Sequence, residues 1–460
     1  MEGNIVMDDH AQGERSRSGI TRRRILRTGL AVGALDLITP LRAPSVWAKE
    51  YPALGTFPAG VTGKSVFVGF ITPLTGPYAS SGEDMKRGFE LAVDHLNNGS
   101  RITEALPTLK KGSGVLGKKI AYQVADSETK PYTAAQAAAR FITENRAIML
   151  CGGISSAVSI ELEELGQRDK VVVMIGNSGS NDTTGKDCQR FGFRSQLSAY
   201  MAAKALAPVL AQRLGKERKA AYLVPDYTYG HSVYDSMTTF TEAAGWKTVS
   251  KQLAPLGTRD FSPYLLNIAN SGADVFVNVA FGGDAVISTQ QAEQFGVLQK
   301  MKYVVPNISQ FQAKELGAKL MGGAYGTQSW WWTEQDTYPL AKYFVADFEQ
   351  KFGYKPRWGA SEIYVQLLVW ADAVERAGTF YPGAVIEALE SGHKVDSIYG
   401  EVWYRAGDHQ LVRPAPVMVG KMPSEMKGPE DYYEMLALVP GEDVLPPLAE
   451  TGCRMPPLRT

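Results

Sequence analysis

The sequence predicts an α/β protein built from two lobes, each a doubly wound parallel sheet with helices on both faces. Short apolar runs rich in β-branched residues alternate with amphipathic helical runs, which is the pattern of right-handed βαβ units. The alternation extends over residues 65–175, stops at Phe193 and Arg194, and starts again over residues 198–305. A chain of 460 residues is long enough for two or three domains, at roughly 100–200 residues each.

The first lobe begins with a strand predicted at residues 65–71 (SVFVGFI), a short apolar run of the kind found in buried strands. A helix is predicted at 83–96, where apolar residues recur at helical spacing until Asn97, Asn98 and Gly99 end it. The elements predicted after it are a strand at 119–125, a helix at 133–145, a strand at 147–150, a helix at 156–167 and a strand at 171–175.

The second lobe repeats this alternation from a helix predicted at 198–214. The elements predicted after it are a strand at 220–224, a helix at 232–244, a strand at 248–252, a helix at 262–270, a strand at 274–279, a helix at 285–295 and a strand at 303–305. Beyond Gly323 the pattern changes to a strand at 324–328, helices at 339–352 and 361–377, and an antiparallel pair formed by 395–404 and 410–420. We expect the Pro-rich segment from Pro423 to wrap the surface.

The first 48 residues have the pattern of a cleaved twin-arginine signal peptide. Residues 21–27 (TRRRILR) hold the paired arginines, and a weakly apolar stretch follows at 28–41. Residues 46–48 (VWA) have the small-x-small pattern of a signal-peptide cleavage site. A disordered basic arm is the alternative. No later segment has 18 consecutive apolar residues, so we expect an exported, periplasmic protein that does not span the membrane.

Composition and motifs argue against several classes of function. The 48 Lys and Arg residues balance 48 Asp and Glu residues, so a basic surface for nucleic acid is not expected. Three cysteines spread over the chain cannot build a Cys-rich zinc module. The sequence also lacks His-x-Glu, Cys-x-x-Cys and Gly-x-Ser-x-Gly motifs. We therefore expect no nucleic-acid partner, no metal, no cofactor and no catalytic residue.

Export makes a disulfide between Cys188 and Cys453 a candidate, because disulfides persist in the periplasm. Cys188 lies in a polar loop and Cys453 in the C-terminal tail, so a bridge would pin that tail to the body of the protein. Two free thiols are the alternative. Cys151 follows an apolar run and is expected to be a buried small hydrophobic residue.

Three loops rich in glycine and hydroxyl residues follow predicted strands, at 72–82, 152–156 and 176–181. The carboxyl ends of parallel strands share one edge of a sheet, where helix N-termini present free amides. Helix capping accounts for part of these Ser and Thr residues. We expect the three loops together to form an anion cradle suited to a carboxylate.

The first of these loops contains residues 72–77 (TPLTGP), and Gly82, Gly88 and residues 91–93 (LAV) follow it. These residues resemble the opening of type I periplasmic solute-binding proteins of the leucine/isoleucine/valine-binding kind. The similarity covers roughly residues 64–425 and continues at 152–156 (GGISS), 193–194 (FR), 226–230 (DYTYG), 260–262 (DFS) and 408–410 (DHQ).

The resemblance implies two lobes, joined by three crossings, that close on a ligand between them. Residues 64–193 and 330–392 would form lobe 1, and residues 194–329 and 393–425 would form lobe 2. Residues 426–460 would form a C-terminal tail.

The resemblance also implies where the ligand binds. The residues implied to hold a ligand carboxylate are Ser156, Ser178 and Ser180, and Ser155, in the loop that is similar to the family's carboxylate loop, is a further ligand-binding candidate. Tyr229 and Phe281 match the aromatic positions of the second lobe that cover the ligand. Ser81 occupies a position where an aromatic residue often lines the pocket, which implies more room on that side.

Two features depart from the family pattern. In the amino-acid binders a carboxylate after the strand equivalent to 303–305 pairs with the ligand's α-ammonium, whereas this chain has the neutral Asn307. A buried ammonium without a partner is costly; Asp284 could replace that partner, or could serve its own helix dipole. The second departure is the run 329–333 (SWWWT), in which we expect at least one tryptophan, with Trp331 as the candidate, to face the cleft.

The resemblance implies a solute-binding protein that captures a small carboxylate-bearing ligand and delivers it to a membrane ABC permease. An amino acid, branched-chain or aromatic, is the ligand that the family favours. Asn307 favours the alternative of a non-amino-acid ligand, such as an aromatic carboxylate, an amide or a urea-like compound. A ligand sensor for a signalling receptor is a further alternative, because the same closed lobes could dock either partner.

Overall fold

Two mixed, mostly parallel β-sheets organise the chain. The structure is a computed structural model that describes residues 63–109 and 112–458, so the predicted export signal at 1–48 lies outside the described residues. The strands in the described ranges are β1 (Ser65–Thr72), β2 (Lys119–Asp126), β3 (Met149–Gly152), β4 (Val172–Ile175), β5 (Gly192–Arg194), β6 (Lys219–Pro225), β7 (Lys247–Ala254), β8 (Val275–Asn278), β9 (Lys302–Asn307), β10 (Tyr325–Thr327), β11 (Val395–Ser397), β12 (Gly400–Arg405), β13 (Gln410–Val412), β14 (Ala415–Gly420) and β15 (Tyr433–Val439).

Helices connect these strands. The helices in the same ranges are α1 (Ala79–Asn98), α2 (Arg101–Ala105), α3 (Pro131–Thr143), α4 (Ser156–Asp169), α5 (Ala199–Leu214), α6 (Thr228–Ala243), α7 (Ser262–Ala269), α8 (Gly282–Gln294), α9 (Val297–Lys300), α10 (Gln310–Leu316), α11 (Ala318–Met321), α12 (Pro339–Phe352), α13 (Trp358–Ala377), α14 (Pro382–Glu390), α15 (Gly441–Val444) and α16 (Leu448–Thr451). None of the helices in the described part of the chain is both long enough and apolar enough to cross a membrane.

The two sheets repeat one strand order. The first sheet has the order β11-β12-β13-β5-β4-β3-β1-β2, and the second has the order β15-β14-β10-β9-β8-β6-β7. In each sheet the first five strands are parallel and the first strand lies between the second and the third. Antiparallel pairings complete each sheet at one edge, and in the first sheet they begin after β13, which runs parallel to β5. The predicted α/β class with two lobes is confirmed.

The long helices that follow the second sheet return to the first lobe. Helix α13 is buried along nearly its whole length and packs on α1. A Cβ atom added to Gly88 of α1 would lie 2.2 Å from the carbonyl oxygen of Ala360 in α13. Only glycine therefore allows the two helix backbones to approach this closely.

The C-terminal part of the chain differs from the predicted lobe boundaries. The segment 393–425 was expected in lobe 2, but β11, β12 and β13 belong to the first sheet, where Gln410 pairs with Arg194 of β5. The predicted strand at 410–420 is two strands, because Pro414 lacks the amide hydrogen that a continuous ladder requires. The chain therefore crosses to the second sheet between β13 and β14.

The tail after residue 425 was expected to cover the surface, but part of it belongs to the second sheet. Its strand β15 pairs antiparallel with β14 at the edge of the second sheet. Beyond β15 the tail reaches the first lobe, where the Arg405 guanidinium donates a hydrogen bond of 2.7 Å to the Pro446 carbonyl. The predicted disulfide between Cys188 and Cys453 is present, and Cys151 is a buried free thiol.

Candidate ligand-binding cleft

A cavity lies between the lobes, where the carboxyl ends of both sheets meet. It contains about 270 Å³ of empty space including solvent, and we call it the cleft cavity. Its lining residues are Tyr78, Ile154, Ser156, Asn177, Gly179 and Trp358 from the first lobe, Gln196 from the first crossing, and Tyr227, Tyr229, Phe281 and Asn307 from the second lobe.

The topology explains why these residues meet. Ser156 starts helix α4 after strand β3, and Asn177 lies two residues beyond β4. In the second lobe Phe281 caps helix α8 after β8, and Asn307 ends β9. Parallel strands place all these positions at one edge of each sheet, where helix N-termini also point.

Aromatic rings form one wall of the cavity and bring the lobes into contact. The ring of Phe281 lies 5.3 Å from that of Tyr78 and 5.6 Å from that of Trp358, measured between centroids. The hydroxyl oxygens of Tyr78 and Tyr227 are 2.8 Å apart, so a hydrogen bond links the lobes. Burial raises the pKa of both hydroxyls, which therefore stay neutral at physiological pH.

The polar groups of the cavity are amides and hydroxyls. Both side-chain polar atoms of Asn177 are buried and lack a hydrogen-bond partner within the described residues. Gln196 also lines the cavity, and its Oε1 accepts a hydrogen bond of 2.7 Å from the Ser329 hydroxyl. The Ser156 hydroxyl accepts a bond of 3.2 Å from the Ser180 amide. These groups can donate to an anion or pair with a neutral polar group.

The cavity offers positive potential without a formal charge. Among the described residues that line it, none is charged at pH 7. The positive end of the α4 dipole is there, and Ser155, its N-cap, makes no side-chain capping bond. Asp284 is absent from this lining and its Oδ2 accepts a bond of 2.8 Å from the Gly257 amide, although its charge helps to raise the pKa of the Tyr78 and Tyr227 hydroxyls. It occupies the first turn of α8, and burial raises its pKa.

The residues around the cavity can therefore bind a carboxylate and an aromatic or apolar body, and they offer no counterion for an ammonium group. A model of the family described as periplasmic binding protein matches residues 65–425 of the chain.

The chain belongs to the periplasmic binding protein family.

Members of this family are solute-binding proteins, and membership implies a periplasmic location. The Leu/Ile/Val-binding protein homolog 7 of Brucella abortus is 27% identical over 336 residues, which cover 70% of this chain and 80% of that relative. A solved periplasmic binding protein from Burkholderia mallei is 25% identical with a TM-score of 0.76, covering 85% of this chain and 98% of its own. The solute-binding protein of an ABC transporter from Rhodopseudomonas palustris, solved in complex with 3,4-dihydroxy benzoic acid, shares the fold at 19% identity and a TM-score of 0.71, covering 82% of this chain and 98% of its own.

Four residues named from the sequence line the cleft cavity of this periplasmic binding protein. They are Ser156, Tyr229, Phe281 and Asn307. Ser155 is buried at the start of α4 but does not line the cavity. Ser81 is half-buried in α1 outside the lining, and Tyr78, from the turn before it, supplies a ring instead.

Ser178 and Ser180 are buried beside the cavity, with hydroxyls engaged elsewhere. The Ser178 Oγ lies 2.6 Å from the Thr183 Oγ1, and the Ser180 Oγ lies 2.9 Å from the Ser232 Oγ of the second lobe. Gly179 between them is the residue that lines the cavity. The two serines therefore support the loop and the lobe contact rather than presenting their side chains to a ligand.

Trp331 lies in the core of the second lobe rather than in the cavity lining. Its ring packs against Tyr433, with centroids 5.2 Å apart, and its exposed fraction is 0%. Trp330 packs on Phe344 of α12, and no tryptophan of this run lines the cleft cavity. The expectation failed because Tyr433 belongs to β15, a strand that the sequence analysis did not anticipate.

The hinge of the protein converges on one buried carboxylate. Glu362 of α13 receives the Ser195 hydroxyl of the first crossing at 2.5 Å and the Arg413 guanidinium of the third crossing at 2.7 Å. Burial raises the pKa of Glu362, while Arg413 acts in the opposite direction. The first and third crossings are thus tied to one side chain, and the Ser329 hydroxyl ties the second crossing to Gln196 of the first.

Sequence reasoning missed several residues of this site. Tyr78 and Tyr227 lie in the segments 72–82 and 226–230, which the sequence had already marked. Both segments follow predicted strands, and this position could have identified the two tyrosines as candidates. Asn177 also lies two residues after a predicted strand. Trp358 starts a helix that is distant in sequence from the other lining residues, and no local pattern marks it.

Proposed function

We propose that this protein is an exported receptor that closes its lobes on a small aromatic carboxylate lacking an α-ammonium group. The observation that carries this proposal is the lining of the cleft cavity, which combines a wall of aromatic rings with amides and hydroxyls and contains no formal charge. The ligand carboxylate would lie at the start of α4, with Ser156 and the free helix amides as donors.

An amino acid fits this lining less well. Its ammonium would be buried beside Asn307 and Asn177, whose amide oxygens are weaker partners for a cation than a carboxylate. The family's fold occurs both in proteins named for leucine, isoleucine and valine and in a protein that holds 3,4-dihydroxy benzoic acid. The fold therefore leaves the ligand open, and the residues of the cavity favour the acid.

Delivery would follow from lobe closure. A ligand that contacts both lobes shifts the equilibrium of a hinged pair toward the closed form. The closed form would then dock on a membrane ABC permease, after twin-arginine export of the chain to the periplasm. The family likeness and the pattern of residues 1–48 support these two steps.

Ligands that differ only in the ammonium group test the proposal. We would measure binding of 3-phenylpropanoate against phenylalanine, and of 4-methylpentanoate against leucine, by calorimetry and thermal shift on the purified protein. We expect the aromatic acid without the ammonium to bind most tightly, and saturation at 100 times its Kd to stabilise the protein by about 2.7 kcal/mol.

Two variants locate the carboxylate. Ser156→Ala removes a donor to a charged group and should weaken binding by about tenfold or more. Ser81→Ala is the matched control outside the lining and should leave affinity unchanged. Tighter binding of either amino acid than of its acid analogue would overturn the proposed ligand class.

A further inference from the structure

The side chain of Asn177 is a feature of the cleft cavity that a carboxylate and an aromatic ring alone leave unused. The residue is 2% exposed and lines the cavity, yet neither its Oδ1 nor its Nδ2 has a hydrogen-bond partner among the described residues. Buried side-chain amides are nearly always paired, because an unpaired donor or acceptor bears the full cost of leaving water. A ligand group that pairs with this amide would therefore contribute to both affinity and selectivity.

Backbone contacts place Asn177 next to the proposed carboxylate site. The loop after β4 runs beside the loop after β3, and the Asn177 amide donates a hydrogen bond of 3.1 Å to the Gly153 carbonyl. Three residues further on, the Ser180 amide donates to the Ser156 hydroxyl at 3.2 Å. A carboxylate held at Ser156 thus lies between these two loops. We therefore expect the ligand group that pairs with Asn177 to be attached to the carbon next to the carboxylate.

The chemistry of an amide selects the kind of group. Asn177 offers an acceptor at Oδ1 and a donor at Nδ2, and a hydroxyl can pair with both because it donates and accepts. An ammonium group only donates, so it would leave Nδ2 unpaired, and a second carboxylate only accepts, so it would leave Oδ1 unpaired. A hydroxyl also adds a single heavy atom and no charge, which suits a lining in which no described residue is charged at pH 7.

We propose that the ligand is an aromatic 2-hydroxy acid, whose hydroxyl donates to the Oδ1 of Asn177 and accepts from its Nδ2. The proposal rests on the function proposed above and specifies its substrate class. The carboxylate lies at the start of α4, and the ring packs against the aromatic wall of the cavity. Asn177 is then the residue that distinguishes the hydroxy acid from the acid without a substituent and from the amino acid.

The test uses ligands that differ only at the α-carbon. 3-Phenylpropanoate, the two enantiomers of 3-phenyllactate, and phenylalanine carry hydrogen, hydroxyl and ammonium at that carbon on one skeleton. Their Kd values are measured by calorimetry on the purified protein. We expect one enantiomer of 3-phenyllactate to bind about tenfold more tightly than 3-phenylpropanoate. Only one enantiomer can direct its hydroxyl toward Asn177 while its carboxylate and ring stay in place.

Substitutions then assign the preference to one side chain. Asn177→Ala removes both pairing atoms, so the Kd values of 3-phenylpropanoate and the preferred enantiomer should come within about twofold of each other. Asn177→Leu, which is closer to asparagine in volume, gives the same measurement if the alanine variant does not fold. Asn267→Ala is the matched control, because Asn267 is exposed on α7 outside the lining, and it should leave the ratio unchanged. Melting temperatures of all variants report whether the fold is intact.

The outcomes separate the two proposals. If the unmodified protein binds neither 3-phenylpropanoate nor 3-phenyllactate, the proposed function fails and this inference fails with it. If 3-phenylpropanoate binds and neither enantiomer binds more tightly, only the hydroxyl contact is overturned, since water alone then satisfies Asn177. A preference for one enantiomer that persists in folded Asn177→Ala protein would also overturn it.

Discussion

Replacing Arg413 by Met should destabilise the protein by about 3 kcal/mol at pH 7, because it leaves the Glu362 carboxylate buried without its cation. The two side chains are 1% and 0% exposed and their nearest atoms are 2.7 Å apart. The free energy lost through the unpaired charge cannot exceed the cost of protonating Glu362, because the variant can remove that charge by binding a proton. We call this cost the ceiling. Protonating a carboxyl group of ordinary pKa 4.5 at pH 7 costs about 1.4 kcal/mol per pH unit, or about 3.4 kcal/mol. Burial already raises this pKa in the unmodified protein, so the measured loss should fall somewhat below the ceiling.

The sign of the pH dependence follows from the same carboxyl group. In the variant its pKa in the folded state lies further above 4.5, so the folded state binds more protons than the unfolded state and stability falls as pH rises. At pH 5.5 the ceiling is about 1.4 kcal/mol. Urea unfolding of the variant and the unmodified protein at both pH values, with equal m-values, measures the two losses.

A double variant provides the control. Glu362→Gln combined with Arg413→Met removes both charges, and we expect it to lie within about 1 kcal/mol of the unmodified protein. An equal cost of Arg413→Met at pH 5.5 and pH 7 would refute the unpaired charge of Glu362 as the cause. A double variant as unstable as the single one would refute it too, since the loss would then not come from an unpaired charge.

Three further predictions concern the cleft, a buried acid and the disulfide. Tyr78→Phe removes the hydrogen bond to Tyr227 that links the lobes, so ligand affinity should fall by about 2- to 12-fold with little change in melting temperature; calorimetry with intact affinity would contradict this. Glu334 is buried and its pKa is raised from 4.5 to about 8, so it should lower the free energy of unfolding by up to about 1.4 kcal/mol per pH unit as pH rises from 4.5 to 8. Urea unfolding between pH 5 and 9 should show that slope reduced in Glu334→Gln, and an unchanged slope would exclude the assignment. Cys453→Ser opens a bridge between residues 265 apart and should cost about 2–5 kcal/mol. Dithiothreitol should reproduce the loss in the unmodified protein but cause no further loss in the variant, and an unaffected unmodified protein would argue against the bridge.

The elements that could be predicted from the sequence are those with a strong local pattern. Strand β1 and helix α12 were anticipated within a residue because a buried parallel strand is continuously apolar and a surface helix has an apolar stripe. Strand β15 was missed because it lies among Pro, Glu and Gly residues and is mostly half-buried, so its sequence resembles a loop. Its partner strand, rather than its own pattern, makes it a strand.

The candidate site shows a similar limit. The loops after the strands were identified because topology alone brings them to one edge. Which side chain of each loop reaches the cavity depends on how the lobes meet, and this separates Ser156, which lines it, from Ser178 and Ser180, which do not. The pairing of Tyr78 with Tyr227 likewise depends on the closed arrangement and leaves no trace in local periodicity.

The bridge between Cys188 and Cys453 gives the two lobes a covalent link beyond the three hinge crossings. The tail leaves the second sheet at Val439, contacts the first lobe from Pro446 onward and is fastened there by the disulfide. The chain and the disulfide thus form a covalent loop that includes both lobes. The cleft can open only as far as the short tail segment between Val439 and Pro446 allows. A tethered pair has fewer open orientations to lose when it closes, so the oxidised protein should close on its ligand with a smaller entropic penalty than the reduced one. Reduction of the bridge should therefore weaken ligand binding, although both cysteines lie outside the cavity lining.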